Sequence, residues 1–285
     1  MPKISVIIPS FNQAQFLEET LLSCLYPQLD VEIIVMDGGS DDGSVDIIKK
    51  YEAYLTYWQS QPDGGQASAI NEGFRKSTGD ILCWLNSDDY YHPRALSLVS
   101  EQLNPERKEL LFGNCFHFHQ ASPTAHGSDI EASAKKLNLL CSDYFYQPSS
   151  FWTRKLWEAV GELDTTLNYA FDWDWYIRAS KESEIKTTPA YLSSYRFHEA
   201  HKTGSGGEKR IEELLKIYRR YMSQPQYDAV LEIRENAEQT KKWERKYKQF
   251  RLDAMRPDLL KKQFPKIYRI FSLSEVSQIR ENLSG

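Results

Sequence analysis

Residues 80–93 read DILCWLNSDDYYHP. The apolar run through Ile81, Leu82, Trp84 and Leu85 drives into two adjacent carboxylates, Asp88 and Asp89, and the segment closes on His92 and Pro93. A short apolar run of this kind reads as a strand buried on both faces of a parallel sheet, and such sheets bind ligands beyond the carboxyl ends of their strands. Two like charges side by side repel unless a cation or strong donors lie between them, and hard oxygens suit Mg²⁺ or Mn²⁺. The plain alternative is an acidic turn, since Ser-Asp-Asp is also ordinary turn chemistry.

The surrounding chain repeats this strand-to-loop rhythm. KISVIIP, VEIIVMD and LTYWQS alternate with helical patterns at residues 13–25, 44–54 and 67–77, which is the βαβ order of an α/β domain. A helix near residues 93–103 leads to LLFGNCFHFH, a longer and partly exposed strand, and residues 119–136 read as a polar loop. From Gly206 the pattern turns helical. EKRIEELLKIYRRYM is followed by a break at Gln224–Pro225, a charged stretch from Tyr227 to Met255, and two short helices punctuated by Pro257 and Pro265. The expected division is a catalytic domain over residues 1–204 and a helical extension over 205–285, with the glycine-rich 204–207 between them.

Charge changes at the same point. Residues 1–204 carry 17 Lys and Arg against 28 Asp and Glu, a balance of −11, while residues 205–285 carry 18 against 12, a balance of +6. An acidic first part excludes a nucleic-acid binder; the basic tail is expected to meet an anionic membrane surface, a partner or a second copy, or to be a solvated helical face. Cys24, Cys83, Cys115 and Cys141 are widely spaced without a CxxC pair, as reduced core thiols are. The apolar stretch before Pro9 is too short for a signal-peptide core or a membrane span, so a cytoplasmic location is expected.

Polar clusters recur where strands end. PSFN (9–12) follows the first strand and DGGSDDGS (37–44) the second, where Asp37 with Gly38 and Gly39 suits a flat base or a ribose. No GxGxxG and no GxxxxGK[ST] is present, so phosphates must be handled without a glycine cradle. QPDGGQ (61–66) forms a turn at Asp63, and Gly79 reads as the C-cap of the next helix. Arg75 suits a nucleotide or a surface carboxylate equally. Asp172 and Asp174 sit among Phe171, Trp173, Trp175 and Tyr176, a setting that raises carboxyl pKa values and favours base duty, or else they are acids at a helix start. Arg196, His198, His201 and Lys202 offer donors for phosphate and a nitrogen ligand for a metal.

Taken together, VIIPSFN, VMDGGSDDGS, QPDGGQASAINEG, GDILCWLNSDD, QPSSFW, VGELDTTLNYAFDWDWYIR and YRFH resemble family 2 glycosyltransferases of the GT-A fold, over residues 3 to about 204. The resemblance implies an α/β, Rossmann-like, mainly parallel sheet flanked by helices, with a C-terminal helical extension. It implies inverting transfer of a sugar from a nucleotide-sugar donor, UDP-sugar favoured, to a sugar or glycolipid acceptor, with Mn²⁺ or Mg²⁺. Pro9, Ser10 and Asp37 match nucleoside positions, with Asn12 and Gly39 in the same turns and Asp63 and Arg75 near the base. Asp88 matches the ribose or diphosphate side of the Asp-x-Asp motif and Asp89 the metal ligand, while Asn86 replaces the first acid. Asp172 matches the catalytic base, although Phe171 replaces the usual Glu, which leaves Asp174 as a rival. His198 matches a position that meets the metal or the leaving diphosphate, and Lys202 lies in the same flap. The contrasting expectation is a catalytically silent module that holds a nucleotide sugar or a partner.

Overall fold

The computed structural model describes residues 1–25, 29–119, 125–130, 138–141, 145–198, 202, 206–249 and 262–284. Residues 1–131 with 145–201 form one compact unit, and residues 132–144 with 202–285 form another. Residues 138–141, expected inside the first domain, group with the second unit.

The first unit is a nine-stranded sheet. β1 (Ile4–Ser10), β2 (Val31–Asp37), β3 (Tyr57–Ser60) and β4 (Ile81–Trp84) are parallel, in spatial order β3-β2-β1-β4. β5 (Tyr90–Tyr91), β6 (Glu109–His119), β7 (Ala125–Gly127), β8 (Ser150–Thr153) and β9 (Glu184–Phe197) complete it. β8 runs antiparallel between β4 and β6, and β6 pairs in parallel with β9. The polar loop expected at 119–136 contains β7, which folds back antiparallel on Phe116–Phe118; residues 120–124 and 131–137 lie outside the described residues.

Alternation along the strands builds two cores. Val6, Ile8, Ile33 and Val35 pack with α1 (Ala14–Ser23), α2 (Ser44–Tyr51) and α4 (Ala95–Gln102) through Leu17, Leu21, Ile48, Leu96 and Val99. On the opposite face Phe74, Trp84, Trp152 and Trp175 join the sheet to α3 (Gln66–Lys76), α5 (Arg154–Val160) and α6 (Phe171–Ala179), with the Trp152 ring centroid 4.7–5.7 Å from those of Phe74, Trp84 and Trp175. A Cβ on Gly73 would lie 2.4 Å from Ile7, so glycine lets α3 press onto β1. Gly79 is not a helix cap. α3 ends at Lys76 with Ser77 as its C-cap, and Gly79 lies so close to β1 that a Cβ would meet the Ser5 Oγ at 2.4 Å.

Glu32 fastens the opposite end of the sheet. Buried on β2, it accepts from Ser5, from the Thr78 N–H (2.7 Å) and hydroxyl, and from Lys3. Burial works against its charge, but these donors outweigh it and hold the carboxyl below its ordinary range.

The second unit contains α7 (Gly207–Tyr221), α8 (Gln224–Glu235), α9 (Ala237–Gln249), α10 (Pro265–Ile270) and α11 (Leu273–Leu283). Pro225 lies in the first turn of α8 behind a Ser223–Gln226 capping box, so the break falls at Met222–Ser223, two residues earlier than expected. The charged stretch from Tyr227 divides at Asn236. Ile211, Leu214, Ile217, Val230, Ile233, Ile267, Val276 and Ile279 are buried, and Arg280 bonds Glu244 at 2.7 Å within this core. The four cysteines are free and buried. No helix among the described residues is long and apolar enough to cross a membrane.

Glu32→Gln should lower stability by about 1–3 kcal/mol at neutral pH. Because the folded pKa is depressed, the wild-type advantage is complete above the unfolded value and disappears as pH falls through the folded one, so the two proteins should converge below about pH 4. Urea melts at several pH values measure this.

Candidate active site

The parallel strands create the site by their order. β2 and β4 lie on opposite sides of β1, so the loops after β1 and β4 flank a crevice at the switch point. The β1–β4 register stops at Ile7 opposite Trp84, and the last rung is the Leu85 N–H on the Ile7 carbonyl, 2.9 Å. Two residues on, Pro9 has no N–H to continue that side of the ladder, so the chains part there.

Asn86–Asp89 form the turn after β4, and nearly every polar group in it is committed. The Asn86 carboxamide accepts from Gln66 (2.7 Å) and donates to Gln147 (3.1 Å) and to the Asp89 carboxylate (3.4 Å). Gln147 also donates to the Trp84 carbonyl at 2.7 Å. The Thr20 hydroxyl lies 3.0 Å from the Ser87 carbonyl and 2.7 Å from that of Asp89. Asp89, 1% exposed, accepts the Arg196 N–H at 3.1 Å. Burial, and then the charge of Asp88, push its carboxyl well above the usual carboxylate range, against these two donors. Asp88 is the opposite case: its side chain is 19% exposed and its Oδ2 lies 2.9 Å from His198 Nε2. The sequence reading gave Asp89 the metal and Asp88 the ribose. In the structure Asp89 accepts from Arg196 and Asn86, while Asp88, matched to the ribose or diphosphate side, meets the imidazole that was expected beside a metal.

Arg196, expected as a donor for phosphate, is held inside the fold. It is 7% exposed, with its guanidinium 4.7 Å from the Phe16 ring centroid and 4.8 Å from that of Phe118. It donates to the Asp88 carbonyl at 3.0 Å and pairs with Glu19. The neighbouring His198 ring also packs on Phe16, at 4.8 Å. His201 lies outside the described residues, and Lys202 belongs to the second unit.

The loops after β1 and β2 zip together. Asn12, with φ of 52°, donates its N–H to Ser40 and accepts from the Asp41 N–H, while Asp42 accepts from the first turns of both α1 and α2. Asp37 is buried, and its carboxylate takes the Gly39 and Ser40 N–H groups and the hydroxyls of Ser40 and Ser60 at 2.6–3.1 Å, so it shapes the loop that includes Gly39. The buried Ser10 Oγ has no hydrogen-bond partner among the described residues. Phe11 escaped the sequence reading and is 61% exposed. Its ring and the Asp63 carboxylate both lie within 3.3–3.4 Å of where a Cβ on Gly38 would stand, so an aromatic face and an acceptor converge beside β2. The available signal was a large aromatic immediately past a strand end, outside the apolar alternation. Arg75, expected to suit a nucleotide or a surface carboxylate, forks its guanidinium onto Glu162 at 2.6 and 2.7 Å and reaches Glu72, at the far end of α3 from Gln66.

α6 brings its first turn to the end of β4 through Phe171, whose ring is 6.2 Å from that of Trp84. Two positions on a helix point about 200° apart. Asp174 is accordingly 0% exposed and paired with Arg178 at 3.0 Å, while Asp172 is partly exposed and accepts the Trp173 N–H at 2.7 Å.

A parallel sheet with acidic and aromatic groups gathered at its switch point, extended by antiparallel strands, is the architecture of GT-A glycosyltransferases. The family model described as Glycosyl transferase family 2 matches residues 5–158, more than half of the chain. An uncharacterised glycosyltransferase of a Nostoc species is 35% identical over 233 residues, 74% of this chain and 70% of the relative. One from Rickettsia typhi is 26% identical over 213 residues, 72% of this chain and 67% of the relative. Staphylococcus aureus TarS in complex with UDP-GlcNAc shares the fold with a TM-score of 0.62 at 16% identity, over 99% of this chain and 89% of that one. A Pyrobaculum calidifontis mannosyltransferase in complex with GDP-Man and Mn²⁺ does so with 0.56 at 19%, over 79% and 67%. The chain belongs to glycosyl transferase family 2.

The two acids of α6 should separate in stability. Asp174→Asn, which leaves Arg178 without its counter-charge, should cost about 1–3 kcal/mol, whereas Asp172→Asn should stay within about 0.5 kcal/mol of wild type in urea melts. Asn86→Asp should also cost about 1–3 kcal/mol, because a carboxylate cannot donate to Gln147 or Asp89.

Proposed function

We propose that this chain is a metal-dependent inverting glycosyltransferase, taking a sugar from a nucleoside diphosphate donor, with UDP-sugar first, to a hydroxyl of a sugar or glycolipid acceptor in polysaccharide or glycolipid synthesis. The observation that carries the reading is the pairing of a partly exposed Asp88 with His198 at the crevice mouth, held by a turn whose other groups are spent. The base of the donor lies on the Phe11 ring, with Asp63 as acceptor for its N–H groups and Ser10 as a further polar contact, while Asp37 shapes the loop that carries Gly39. Among the described residues no cluster of three or more His, Cys, Asp or Glu side chains could hold a metal. One carboxylate with one imidazole nevertheless fits a divalent ion whose remaining ligands are diphosphate oxygens and water. Asp88 and His198 would hold Mn²⁺ or Mg²⁺, which neutralises the charge that develops on the departing diphosphate.

Asp172 is the base. Partly exposed in the first turn of α6, it accepts the proton of the acceptor hydroxyl as that oxygen attacks the anomeric carbon from the face opposite the leaving group, which inverts the configuration. The leaving diphosphate needs charge neutralisation rather than a proton, so one base suffices. Asp174, buried on Arg178, holds the helix.

Calorimetry with UDP, GDP and dTDP, with and without Mn²⁺, tests the donor site. Binding should need the metal, should be lost in Asp88→Ala, and should weaken by about 1–3 kcal/mol in Phe11→Ala. Asp172→Asn should keep nucleotide affinity while sugar transfer or donor hydrolysis falls by about 10²–10⁴-fold. Metal-dependent binding without turnover in wild type would point instead to a silent nucleotide-sugar-binding module.

A further inference from the structure

We infer that the outward face of α9 is a docking surface for an anionic lipid bilayer. α9 buries Thr240 and Glu244 and exposes Lys241, Lys242, Trp243, Arg245 and Lys246 in one short stretch. On a helix of 3.6 residues per turn Arg245, Lys242 and Lys246 fall in the middle of the exposed face, with Lys241 on one flank and Trp243 on the other. The Lys246 ammonium lies 5.9 Å from the Trp243 ring centroid, and the indole is 36% exposed.

What marks this face is the density of its charges: four exposed cations within six residues. Several exposed cations elsewhere are matched by carboxylates: Lys50 by Glu18, Arg75 by Glu162, Lys108 by Glu182, Lys155 by Glu106 and, within the same unit, Arg234 by Glu208. Lys241, Lys242, Arg245 and Lys246 have no ion-pair partner among the described residues, and the acid nearest in sequence that faces inward, Glu244, is consumed by Arg280 and Tyr268. Glu238 is the one exposed acid in this part of the helix. The fold has thus turned its acid inward and left its cations outward, a local field that the net charge of −5 conceals.

An anionic bilayer fits this arrangement. The row runs along a helix about 20 Å long, flat enough for a planar array of headgroups. Lysine and arginine are drawn to an anionic surface, and an indole settles at headgroup depth beside them. A nucleic-acid strand asks instead for a groove with several stacking platforms, and this convex face has one indole. The inference rests on exposure and charge, not on the donor site, so it stands or falls separately.

The test is flotation of the full chain with vesicles of phosphatidylcholine alone and with about 30 mol % phosphatidylglycerol, near physiological ionic strength. The protein should float with the anionic vesicles only and be released by about 1 M salt. The variant K241Q/K242Q/R245Q/K246Q should lose about tenfold or more of the bound fraction, and Trp243→Ala should bind more weakly. K209Q/K216Q, which removes two exposed cations of α7, should float like wild type. Circular dichroism and nucleotide calorimetry on the same variants separate loss of this surface from misfolding or from failure of the donor-site reading. Equal flotation with both vesicle types, no flotation, undiminished flotation of the fourfold variant, or tighter retention by a duplex oligonucleotide than by anionic vesicles would each overturn the inference.

Discussion

A carboxylate buried at the end of β4 organises the mouth of this molecule. Asp89 is taken out of water, which is costly for a charge, and among the described residues two donors meet it, the Arg196 N–H and the Asn86 amide. Those bonds fasten the last residues of β9 to the turn after β4. Once β9 is fastened, Arg196 lies between Phe16 and Phe118 and reaches the Asp88 carbonyl, and His198 follows two residues later against Asp88. The exposed part of the site is small and its support is large. A buried polar network of this kind is stable only when its members are satisfied together, which is why amide, hydroxyl and guanidinium groups of Gln66, Gln147, Thr20 and Arg196, from four separate segments, converge on four residues.

The same division of labour appears twice. Asp88 and Asp89 are adjacent, Asp172 and Asp174 two apart, and in each pair one acid is buried in the scaffold while the other is left partly open. The physical reason is shared. Two neighbouring carboxylates in one environment would raise each other's pKa, whereas placing one against fixed donors or an arginine leaves the second at the partly exposed surface. Asn86 belongs to this logic. As an acid it would be a third negative charge beside Asp89; as an amide it accepts from Gln66 and donates to Gln147 and Asp89 at once. The departure from the family's first acidic position is thereby accounted for within the network.

The second unit follows a different rule. Its described helices are joined by an apolar core and by the buried pair of Glu244 with Arg280, which removes an acid from an otherwise cationic stretch. Burial of one sign of charge leaves an excess of the other at the surface, so the positive balance of residues 205–285 is sharpened locally beyond its average value.

Sequence alone determined the parts of this protein that depend on short-range periodicity and residue chemistry. Fully apolar runs ending in Pro-Ser, Asp-Gly-Gly and Ser-Asp-Asp specify buried parallel strands with polar loops at their carboxyl ends, because side-chain alternation and turn chemistry are local properties. The order of those segments was enough to reach the family. What a side chain touches across the chain is not local, and there the tertiary structure decided. Asp88 and Asp89 are chemically identical in a sequence, yet one meets His198, 110 residues away, and the other the Arg196 backbone. Arg75 looked available until Glu162, 87 residues away, was folded against it, and Phe11 looked like one more apolar residue until the fold left it uncovered. Burial and partnership are sums over distant segments, so only the closed fold could assign the roles that residue type left open.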